Sequence, residues 1–375
     1  MILSLVPIFG KKIHFKVPFY PVLNIVSISG GKDSAATLLL AIEKKTPNLL
    51  AVFADTGNEH QITYDYVEYL AQSTGVSIIW LKADFSKQIE EKRKFVANDL
   101  RVGRKYKQIP LFDAAGKPVW KRESGSGKVV YKDVKRNGVL IKEPVQKMIK
   151  VGGGYKIRWS NKAKRSALSV LYSTGNAFLD LCIWKGRFPS TKARFCSTDL
   201  KREVILYKVQ FPLIDQGFKI ISWQGVRADE SDARSKLPVS DNIGDGVTNY
   251  RPILFWSAYD CFDLHFKYGI RPNPLYKQGM GRVGCMPCIH CRKDELRAIA
   301  DRFPDEIDRI EKWERIVGAA SRLGSATLFT SDTRGHGIRE LVEWSKTERG
   351  GKQYSLIALS EEGNTSCSSI YGLCE

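Results

Sequence analysis

The residues with the clearest chemical potential form a short glycine-containing loop, SGGKDS, at positions 29–34. Glycine lets a backbone approach an anion closely, and successive N–H groups at a helix N-terminus bind phosphate oxygens. Lys32 adds a full positive charge, and Asp33 would orient the loop or hold a magnesium ion. The loop therefore predicts a phosphate site, with an ordinary glycine turn and helix cap as the alternative. Its predicted phosphate-binding residues are Ser29, Gly30, Gly31, Lys32, Asp33 and Ser34.

Two arginines farther along the chain have side chains suited to the same anion. The segment GVRADESDARSKL, residues 225–237, contains Arg227 and Arg234. The planar guanidinium group grips phosphate or sulfate oxygens with paired hydrogen bonds. We expect both arginines to help bind the phosphates and Glu230 to pair with one of them. A loop of surface salt bridges is the alternative.

Three closely spaced cysteines form a second group, in the segment GCMPCIHC. Cys285, Cys288 and Cys291 follow a Cys-x2-Cys-x2-Cys spacing. Thiols this close cannot all form disulfides without strain, but they can surround one metal centre. The segment therefore predicts a metal centre that needs a fourth ligand. Cys182 and Cys261 lie in apolar runs and are expected to be core residues.

These groups require a scaffold, and the first 85 residues indicate one by alternating β-branched runs with helix-like runs. The predicted strands are 22–28, 49–54 and 77–82, and the predicted helices are 34–45 and 62–73. This alternation predicts parallel βαβ units with helices on both faces, which is a doubly wound α/β fold. A further buried strand is expected at 217–223, and helices are expected at 166–184 and 292–322.

The positive charge of the chain is concentrated in one stretch. Residues 86–165 contain 23 lysines and arginines against seven acidic residues, so they carry +16 of the net charge of +19. Glycine clusters between short β-like runs predict that 101–165 is a β-rich insertion of hairpins. Such a stretch suits a polyanion, and we expect it to bind nucleic acid, DNA or RNA; a lysine-rich insertion that keeps the protein soluble is the alternative. The interleaved aromatic residues, whose rings can stack on bases, are Tyr106, Trp120, Tyr131, Tyr155 and Trp159.

No apolar run approaches the roughly 18 residues of a membrane span. We therefore expect no membrane contact and a cytoplasmic location. The expected organisation has four parts. They are the first half of the nucleotide-binding domain (1–85), the basic insertion (86–165), the rest of that domain with the metal-binding cysteines (166–291), and a C-terminal helical region with its tail (292–375).

The SGGKDS loop resembles that of the PP-loop ATP pyrophosphatase and sulfonucleotide reductase superfamily. Residues 52–70, VFADTGNEHQITYDYVEYL, resemble the D-T-G…T-Y segment of its phosphoadenosine phosphosulfate (PAPS) reductase family, and residues 225–237 resemble the G-x-R…S-x-x-R loop. The resemblance implies a HUP/PP-loop fold that binds ATP or an adenosine phosphosulfate. It also implies that Asp55, Thr56 and Gly57 contact the nucleotide or its metal, since strand ends bind ligands in open parallel sheets; a plain Asp-Thr-Gly turn is the alternative. The residues expected to be catalytic are Lys32, Asp33, Asp55 and Cys374.

A fourth cysteine ligand follows from the same resemblance. The segment ARFCSTDLKREVI, residues 193–205, resembles the C-C-x-x-R-K-V segment of cluster-bearing sulfonucleotide reductases, with Phe195 in place of the first cysteine. A [4Fe-4S] cluster held by four cysteines is therefore implied. Structural zinc, with the four cysteines or with His290 replacing one, is the alternative. The implied ligands are Cys196, Cys285, Cys288 and Cys291.

The C-terminal tail departs from the family. Reductases of this family carry a nucleophilic cysteine in an E-C-G-x-H motif, which this chain lacks. Cys367 or Cys374 in the tail would be the nucleophile, or would carry sulfur as a persulfide; incidental thiols at a disordered end are the alternative.

Three functions remain open. The first is an ATP-using enzyme that adenylates nucleic acid for sulfur transfer, with a sulfur donor or a thioredoxin-type reductant as partner and a homo-oligomer as a further expectation. The second is a sulfonucleotide reductase that produces sulfite. The third is a non-catalytic, zinc-stabilised module that binds nucleic acid.

Overall fold

The computed structural model describes residues 2–4, 14–16, 22–99, 104–136, 139–156, 159–329 and 337–348. The strands are β1 (Ile2–Ser4), β2 (His14–Lys16), β3 (Val22–Ile28), β4 (Leu49–Asp55), β5 (Ile78–Lys82), β6 (Arg104–Pro110), β7 (Tyr131–Arg136), β8 (Val139–Pro144), β9 (Met148–Lys156), β10 (Lys219–Trp223), β11 (Ser240–Gly244) and β12 (Val247–Tyr250). The helices are α1 (Lys32–Glu43), α2 (Gln61–Thr74), α3 (Ser86–Asn98), α4 (Asn161–Val170), α5 (Ala177–Lys185), α6 (195–214, with two π-helical stretches), α7 (Asp232–Ser235), α8 (Ala258–Lys267), α9 (Lys293–Arg302), α10 (Pro304–Ala320) and α11 (Ile338–Ser345).

A six-stranded sheet in the order β11-β12-β10-β3-β4-β5 forms the centre of the molecule. Strands β12, β10, β3, β4 and β5 are parallel, and β11 is antiparallel to β12. The predicted doubly wound parallel sheet is therefore confirmed. The chain order changes direction between β3 and β10, and open sheets bind ligands outside the carboxyl ends of the strands at such a point.

Helices cover both faces of this sheet. On one face, α1, α2 and α8 pack their apolar side chains on β3 and β4, where Leu38, Leu70 and Phe53 are almost completely buried. On the other face, α6 packs against the sheet through Val204, Val209 and other apolar residues. Strands buried on both faces read as nearly continuous apolar runs, which explains why β3 and β4 were evident in the sequence.

A separate hydrophobic core joins α3, α4 and α5 to the C-terminal helices α9, α10 and α11. The prediction of helical structure at about 166–184 is confirmed, and the chain forms two helices there, α4 and α5. Asn176 caps α5, since its side chain accepts a hydrogen bond from the Leu179 N–H group. Asp180 accepts hydrogen bonds from Ser173 and Thr174 and stabilises the turn between the helices. The prediction of helical structure at 292–322 is confirmed as two helices, α9 and α10.

The predicted insertion is β-rich from Arg104 to Lys156, where β6 pairs with β9 and β7 pairs with β8. Its helical margins α3 and α4 instead pack in the core, where Val96 and Ala167 are fully buried. Trp159 also lies in this core and is 8% exposed, so its expected role in stacking on bases is wrong. Tyr106 and Tyr155 have side chains that lie outside the described part. Within the described ranges, every helix is too short or too polar to cross a lipid bilayer.

Candidate functional site

The predicted phosphate loop lies between the end of β3 and the start of α1. Gly30 has a φ of +75°, and a Cβ atom at this position would lie 2.6 Å from Cγ2 of Thr63 on α2. Ser34 closes the loop from inside, because its hydroxyl accepts a hydrogen bond from the Ser29 N–H group at 3.1 Å and donates to the Gly31 carbonyl at 2.9 Å. The loop therefore has the glycine conformation and the helix N-terminus that a phosphate site requires.

The charged residues of the loop form a buried ion network. Asp33 accepts a hydrogen bond from Nε of Arg227 at 2.6 Å and lies 3.3 Å from Nζ of Lys32. Burial acts to lower the pKa of Arg227, but the neighbouring Asp33 carboxylate outweighs it, so the pKa is raised. Both oxygens of Asp33 thus contact cations. This arrangement supports a loop-orienting role for Asp33 rather than a magnesium site.

The sequence motif GVR reaches this network through close backbone packing. A Cβ atom on Gly225 would lie 2.9 Å from the backbone carbonyl atoms of Asp33 and 3.0 Å from the Ser34 nitrogen. The absence of a side chain at Gly225 lets the loop after β10 meet the phosphate loop after β3. Arg227, 5% exposed, is thereby held against Asp33.

A segment that sequence reasoning missed supports the phosphate loop from behind. The Tyr276 hydroxyl accepts a hydrogen bond from the Lys32 N–H group at 2.9 Å, and the Asn273 side chain donates to the Gly30 carbonyl at 3.1 Å. His265 Nε2 lies 3.1 Å from the Lys32 carbonyl oxygen. Tyr276 therefore satisfies an N–H group at the first residue of α1, where a phosphate oxygen would bind. No local pattern marks these residues, which are more than 230 positions from the loop.

Cys261 also contacts the network and is more than the apolar core residue predicted. It is fully buried, and its thiol donates to Asp33 at a sulfur–oxygen distance of 3.5 Å. Burial, followed by the Asp33 charge, raises the pKa of this thiol. Cys261 is therefore a neutral donor to the ion network. Cys182 is fully buried in the helical core, as predicted.

The Asp-Thr-Gly segment lies at the carboxyl end of β4, as the resemblance implied. Asp55 accepts hydrogen bonds from the Gly57 N–H group and the Tyr64 hydroxyl, both at 2.8 Å. Thr56 directs its hydroxyl away from Asp55 and donates to Glu59. His60 caps α2 by accepting a hydrogen bond from the Ile62 N–H group.

Arg234 does not join Arg227 at Asp33. It pairs with Glu230, whose side chain also accepts a hydrogen bond from the backbone N–H group of Arg227. The Arg234 side chain is 39% exposed, and its charge helps lower the pKa of His290, after burial and the charges of other arginines. Arg234 therefore lies near His290 of the cysteine segment, and its partly exposed side chain is accessible to an anion from solvent.

The four predicted cysteine ligands share one neighbourhood around Cys288. Burial raises the pKa values of Cys196, Cys285 and Cys291, and the charge of Cys288 adds to each rise. Lys201 on α6 lies among them, and Cys285 is the largest cause of its raised pKa. A lysine at this position compensates thiolate charge, which metal binding requires.

The β4–α2 loop contacts Cys285. Glu59 and Cys285 form an isolated antiparallel β-bridge. The Cys285 sulfur lies 3.5 Å from the Thr56 hydroxyl and 3.7 Å from a Glu59 carboxylate oxygen. The Met286 N–H group donates to the Asn58 carbonyl at 2.8 Å. Glu59 and Lys201 are functional candidates that the sequence did not reveal, since each is identified by its neighbours in the fold.

In the part of the chain that the structure describes, no three His, Cys, Asp or Glu side chains are arranged as ligands of a single ion. Cys367 and Cys374 lie outside the described residues.

The phosphate loop and the cysteines are joined by one short stretch of chain. Residues 273–285 begin at Asn273, which bonds to the phosphate loop, pass Tyr276, and end at Cys285 beside the β4–α2 loop. A Cβ atom on Gly31 would lie 3.5 Å from the Val283 carbonyl oxygen. An anion held at the loop would therefore lie next to a thiol-rich centre.

Comparisons with known proteins place the chain in a family. Residues 24–291 match the family model of the phosphoadenosine phosphosulfate reductase domain. An uncharacterized 37.8 kDa protein from the gpa 5' region of Escherichia phage 186 is 43% identical over 371 residues, which cover 94% of this chain and 97% of that protein.

Two further similarities are more limited. The adenosine 5'-phosphosulfate reductase of Neisseria meningitidis serogroup A is 32% identical over 118 residues, which cover 30% of this chain and less than half (47%) of that protein. The crystal structure of phosphoadenylyl-sulfate reductase from Candida auris, a phosphate complex, is 14% identical with a TM-score of 0.34, covering 73% of this chain and 84% of that one.

Proposed function

From the premise that the chain belongs to the phosphoadenosine phosphosulfate reductase domain family, we propose that it binds ATP and adenylates a nucleic acid for sulfur transfer. The observation that carries this proposal is the short stretch 273–285, which connects the phosphate loop to a neighbourhood of four thiols. An activated phosphate and a sulfur-handling centre at adjacent positions suit a reaction in which sulfur replaces an oxygen.

The phosphate loop would bind the triphosphate of ATP. Backbone N–H groups at the start of α1 and the hydroxyl of Ser29 would donate to phosphate oxygens. Lys32 would supply positive charge as it turns from Asp33 toward the phosphates, while Arg227 keeps Asp33 neutralised. Asp55, at the end of β4, would contact the nucleotide or its magnesium ion through a carboxylate already oriented by Tyr64.

The reaction balances without any change of oxidation state when sulfide is the donor. An oxygen of the nucleic acid attacks the α-phosphorus of ATP, the bond to the β-phosphate oxygen breaks, and pyrophosphate leaves. The sulfur nucleophile then displaces AMP from the activated position. A persulfide donor would in addition need a thioredoxin-type reductant to release the transferred sulfur from its partner sulfur.

The four cysteines would hold the iron–sulfur cluster. When bound, such a cluster supplies electron transfer. Lys201 would offset the negative charge of the thiolates, and the Thr56 hydroxyl oxygen lies 3.5 Å from the sulfur of Cys285. Burial raises the pKa values of Cys196 and Cys285, so binding of the cluster to these thiols would release protons.

The basic insertion supports a nucleic acid as the substrate. Residues 104–156 contain 14 lysines and arginines and four acidic residues. This charge would attract the phosphate backbone of a polynucleotide and make its binding salt-dependent. The phosphate loop and the cysteine centre would then act on the bound polymer.

The test is pyrophosphate release by protein purified without oxygen. We expect release from magnesium ATP that depends on added nucleic acid, followed by incorporation of labelled sulfide into the polymer. Lys32→Ala should abolish both, whereas Lys44→Ala, an exposed lysine at the end of α1, should change neither. Release that does not depend on nucleic acid, or a Lys32→Ala variant with full activity, would contradict the proposal.

A sulfonucleotide reductase is the second candidate, because the adenosine 5'-phosphosulfate reductases match part of the chain. In that reaction Cys367 or Cys374 would attack the sulfur of adenosine 5'-phosphosulfate and release AMP, and a thioredoxin-type reductant would release sulfite. Sulfite formation from adenosine 5'-phosphosulfate and thioredoxin without nucleic acid would favour this candidate. The zinc-stabilised binding module would be favoured by colourless protein that contains zinc and hydrolyses no nucleotide.

A further inference from the structure

Exposed aromatic side chains of the insertion lie on one face of a group of short, paired antiparallel segments. The paired residues are Phe112 with Pro118, Trp120 with Gln146, Arg122 with Val129, and Tyr131 with Pro144. Directly paired residues of antiparallel strands place their side chains on the same face, and residues two apart along a strand do so as well. Since 118, 120 and 122 are two apart, as are 129 and 131, and 144 and 146, all eight side chains share a face. We call it the aromatic face.

Backbone hydrogen bonds join three of these segments at one point. The Lys121 N–H group donates to the Val145 carbonyl at 2.7 Å, the Val145 N–H group donates to the Val130 carbonyl at 2.8 Å, and the Val130 N–H group donates to the Lys121 carbonyl at 2.9 Å. The Lys147 N–H group donates to the Val119 carbonyl at 2.7 Å, so residues 119–121 pair with residues 145–147. Trp120 lies between two of these hydrogen bonds and opposite Gln146, which fixes its backbone.

The rings of the aromatic face are open to solvent. Phe112 is 50% exposed, Trp120 is 38% exposed and Tyr131 is 57% exposed. Exposed apolar surface of this size on a soluble protein marks an interaction site. The alternation along β7 and β8 adds Lys135 and Lys142 to the face, together with Asp133 opposite Lys142.

We propose that the aromatic face binds single-stranded polynucleotide, with bases stacked on Phe112, Trp120 and Tyr131 and the phosphate backbone along the surrounding cations. Aromatic rings beside basic residues are the features by which proteins bind single strands without sequence preference. A duplex keeps its bases stacked on each other, so flat exposed rings gain little from it. A second copy of this chain would bring two strongly basic insertions together, which charge repulsion opposes.

The inference rests on the proposed function only in taking a nucleic acid as the partner, and it does not depend on the phosphate loop. Its test therefore contains no ATP. The full chain is titrated into fluorescein-labelled dT20, U20 and a 20-base-pair DNA duplex, and binding is followed by anisotropy. We expect the single strands to bind at least about tenfold more tightly than the duplex at moderate salt, since stacking adds to the charge term; equal or tighter duplex binding would overturn the proposal.

Variants of the rings locate the site. Trp120→Ala and Tyr131→Ala should each weaken single-strand binding about tenfold, which is the usual effect of losing one base–aromatic stack. Phe266→Ala is the matched control. Phe266 is 57% exposed, like Tyr131, but it lies on α8, outside the insertion. Lys32→Ala should bind single strands like the wild type, so a failure of the adenylation chemistry would not change this result.

Two outcomes would contradict the assignment. One is that both ring variants keep the wild-type affinity and the circular dichroism spectrum of the wild type. The other is that vesicles with anionic lipid displace dT20 and bind the chain with the same dependence on Trp120 and Tyr131. In that case the aromatic face is a membrane-binding surface.

Discussion

The phosphate loop and the basic insertion use the same residue type, glycine with positive φ, under opposite physical conditions. Gly30 has a φ of +75° and packs against α2, whereas Gly116 in the insertion has a φ of +76° and no atom within 4 Å of a Cβ position. At Gly30 both the backbone conformation and the lack of a side chain are required. At Gly116 the conformation alone is required, because the turn faces solvent.

The two regions differ in the same way in their charges. Lys32, Asp33 and Arg227 lie in the interior and contact one another. In the described part of the insertion, the lysines between 107 and 150 and the rings of Phe112, Trp120 and Tyr131 are exposed to solvent. A buried network fixes one geometry and suits a small ligand, whereas exposed basic segments suit a long polymer. Under the proposed function, binding of the nucleotide and binding of the polymer should therefore be separable by mutation.

Removal of the insertion should separate the two functions most strongly. The chain leaves and re-enters the core at neighbouring positions, since Nζ of Lys164 donates to the Asp99 carbonyl at 2.6 Å. Replacement of residues 104–156 by a short glycine–serine linker should lower nucleic-acid affinity by about 100-fold or more, because most phosphate contacts are lost. Adenine-nucleotide affinity, measured by calorimetry, should stay within about twofold, since the phosphate loop is untouched. A parallel loss of nucleotide binding would show that the regions are coupled.

Alanine substitutions at the two glycines test the difference in packing directly. Gly30→Ala should lower the free energy of unfolding by about 3 kcal/mol or more, because a positive φ and a clash with Thr63 act together. Gly116→Ala should cost about 1 kcal/mol from its backbone conformation alone. Urea denaturation of both variants measures the difference, and equal losses would contradict it.

Removal of the Tyr276 hydroxyl should affect the phosphate loop in two opposite directions. Tyr276→Phe leaves the Lys32 N–H group without its partner, so the unliganded protein should lose about 1 kcal/mol of stability. The same N–H group becomes available to a phosphate oxygen, so ATP should bind several-fold more tightly, as measured by calorimetry. Weaker ATP binding in Tyr276→Phe would mean that the hydroxyl itself holds the phosphate.

A pH-dependent effect of smaller size is expected at Lys92, where the flank of the insertion meets the core. Nζ of Lys92 donates to the Ile183 carbonyl at 2.8 Å, and burial lowers the pKa of Lys92 from 10.5 to about 8. Between these values the unfolded chain binds more protons than the folded chain, so stability gains from this residue as the pH rises from about 8 to 10.5.

The control for this effect is a variant without the titrating group. In Lys92→Met the gain should disappear, so the difference in unfolding free energy between wild type and variant should grow by up to about 2 kcal/mol between pH 7.5 and 10.5. Urea denaturation at several pH values measures it. A difference that does not vary with pH would show that Lys92 titrates normally in the folded protein.

Sequence reasoning succeeded where the signal was local. Strand β3, the loop at 29–34 and helix α1 are specified by one run of about 20 residues, with apolar β-branched residues, then glycines, then helical periodicity. At 166–184 it predicted the helical structure but not the turn between α4 and α5, which Asp180 and Asn176 stabilise by side-chain hydrogen bonds. Side-chain hydrogen bonds to the backbone compete with helix formation, and the apolar pattern does not report them.

The sequence by itself indicated the parallel sheet and the glycine loop between β3 and α1, because each strand, loop and helix depends on residue types within a few positions of one another. The tertiary structure alone decided that Tyr276, Asn273 and His265 support the loop, that Arg227 rather than Arg234 pairs with Asp33, and that Lys201 lies among the cysteines. These contacts join residues far apart in the chain. Their energies depend on burial and distance, which exist only after the helices and strands have packed together.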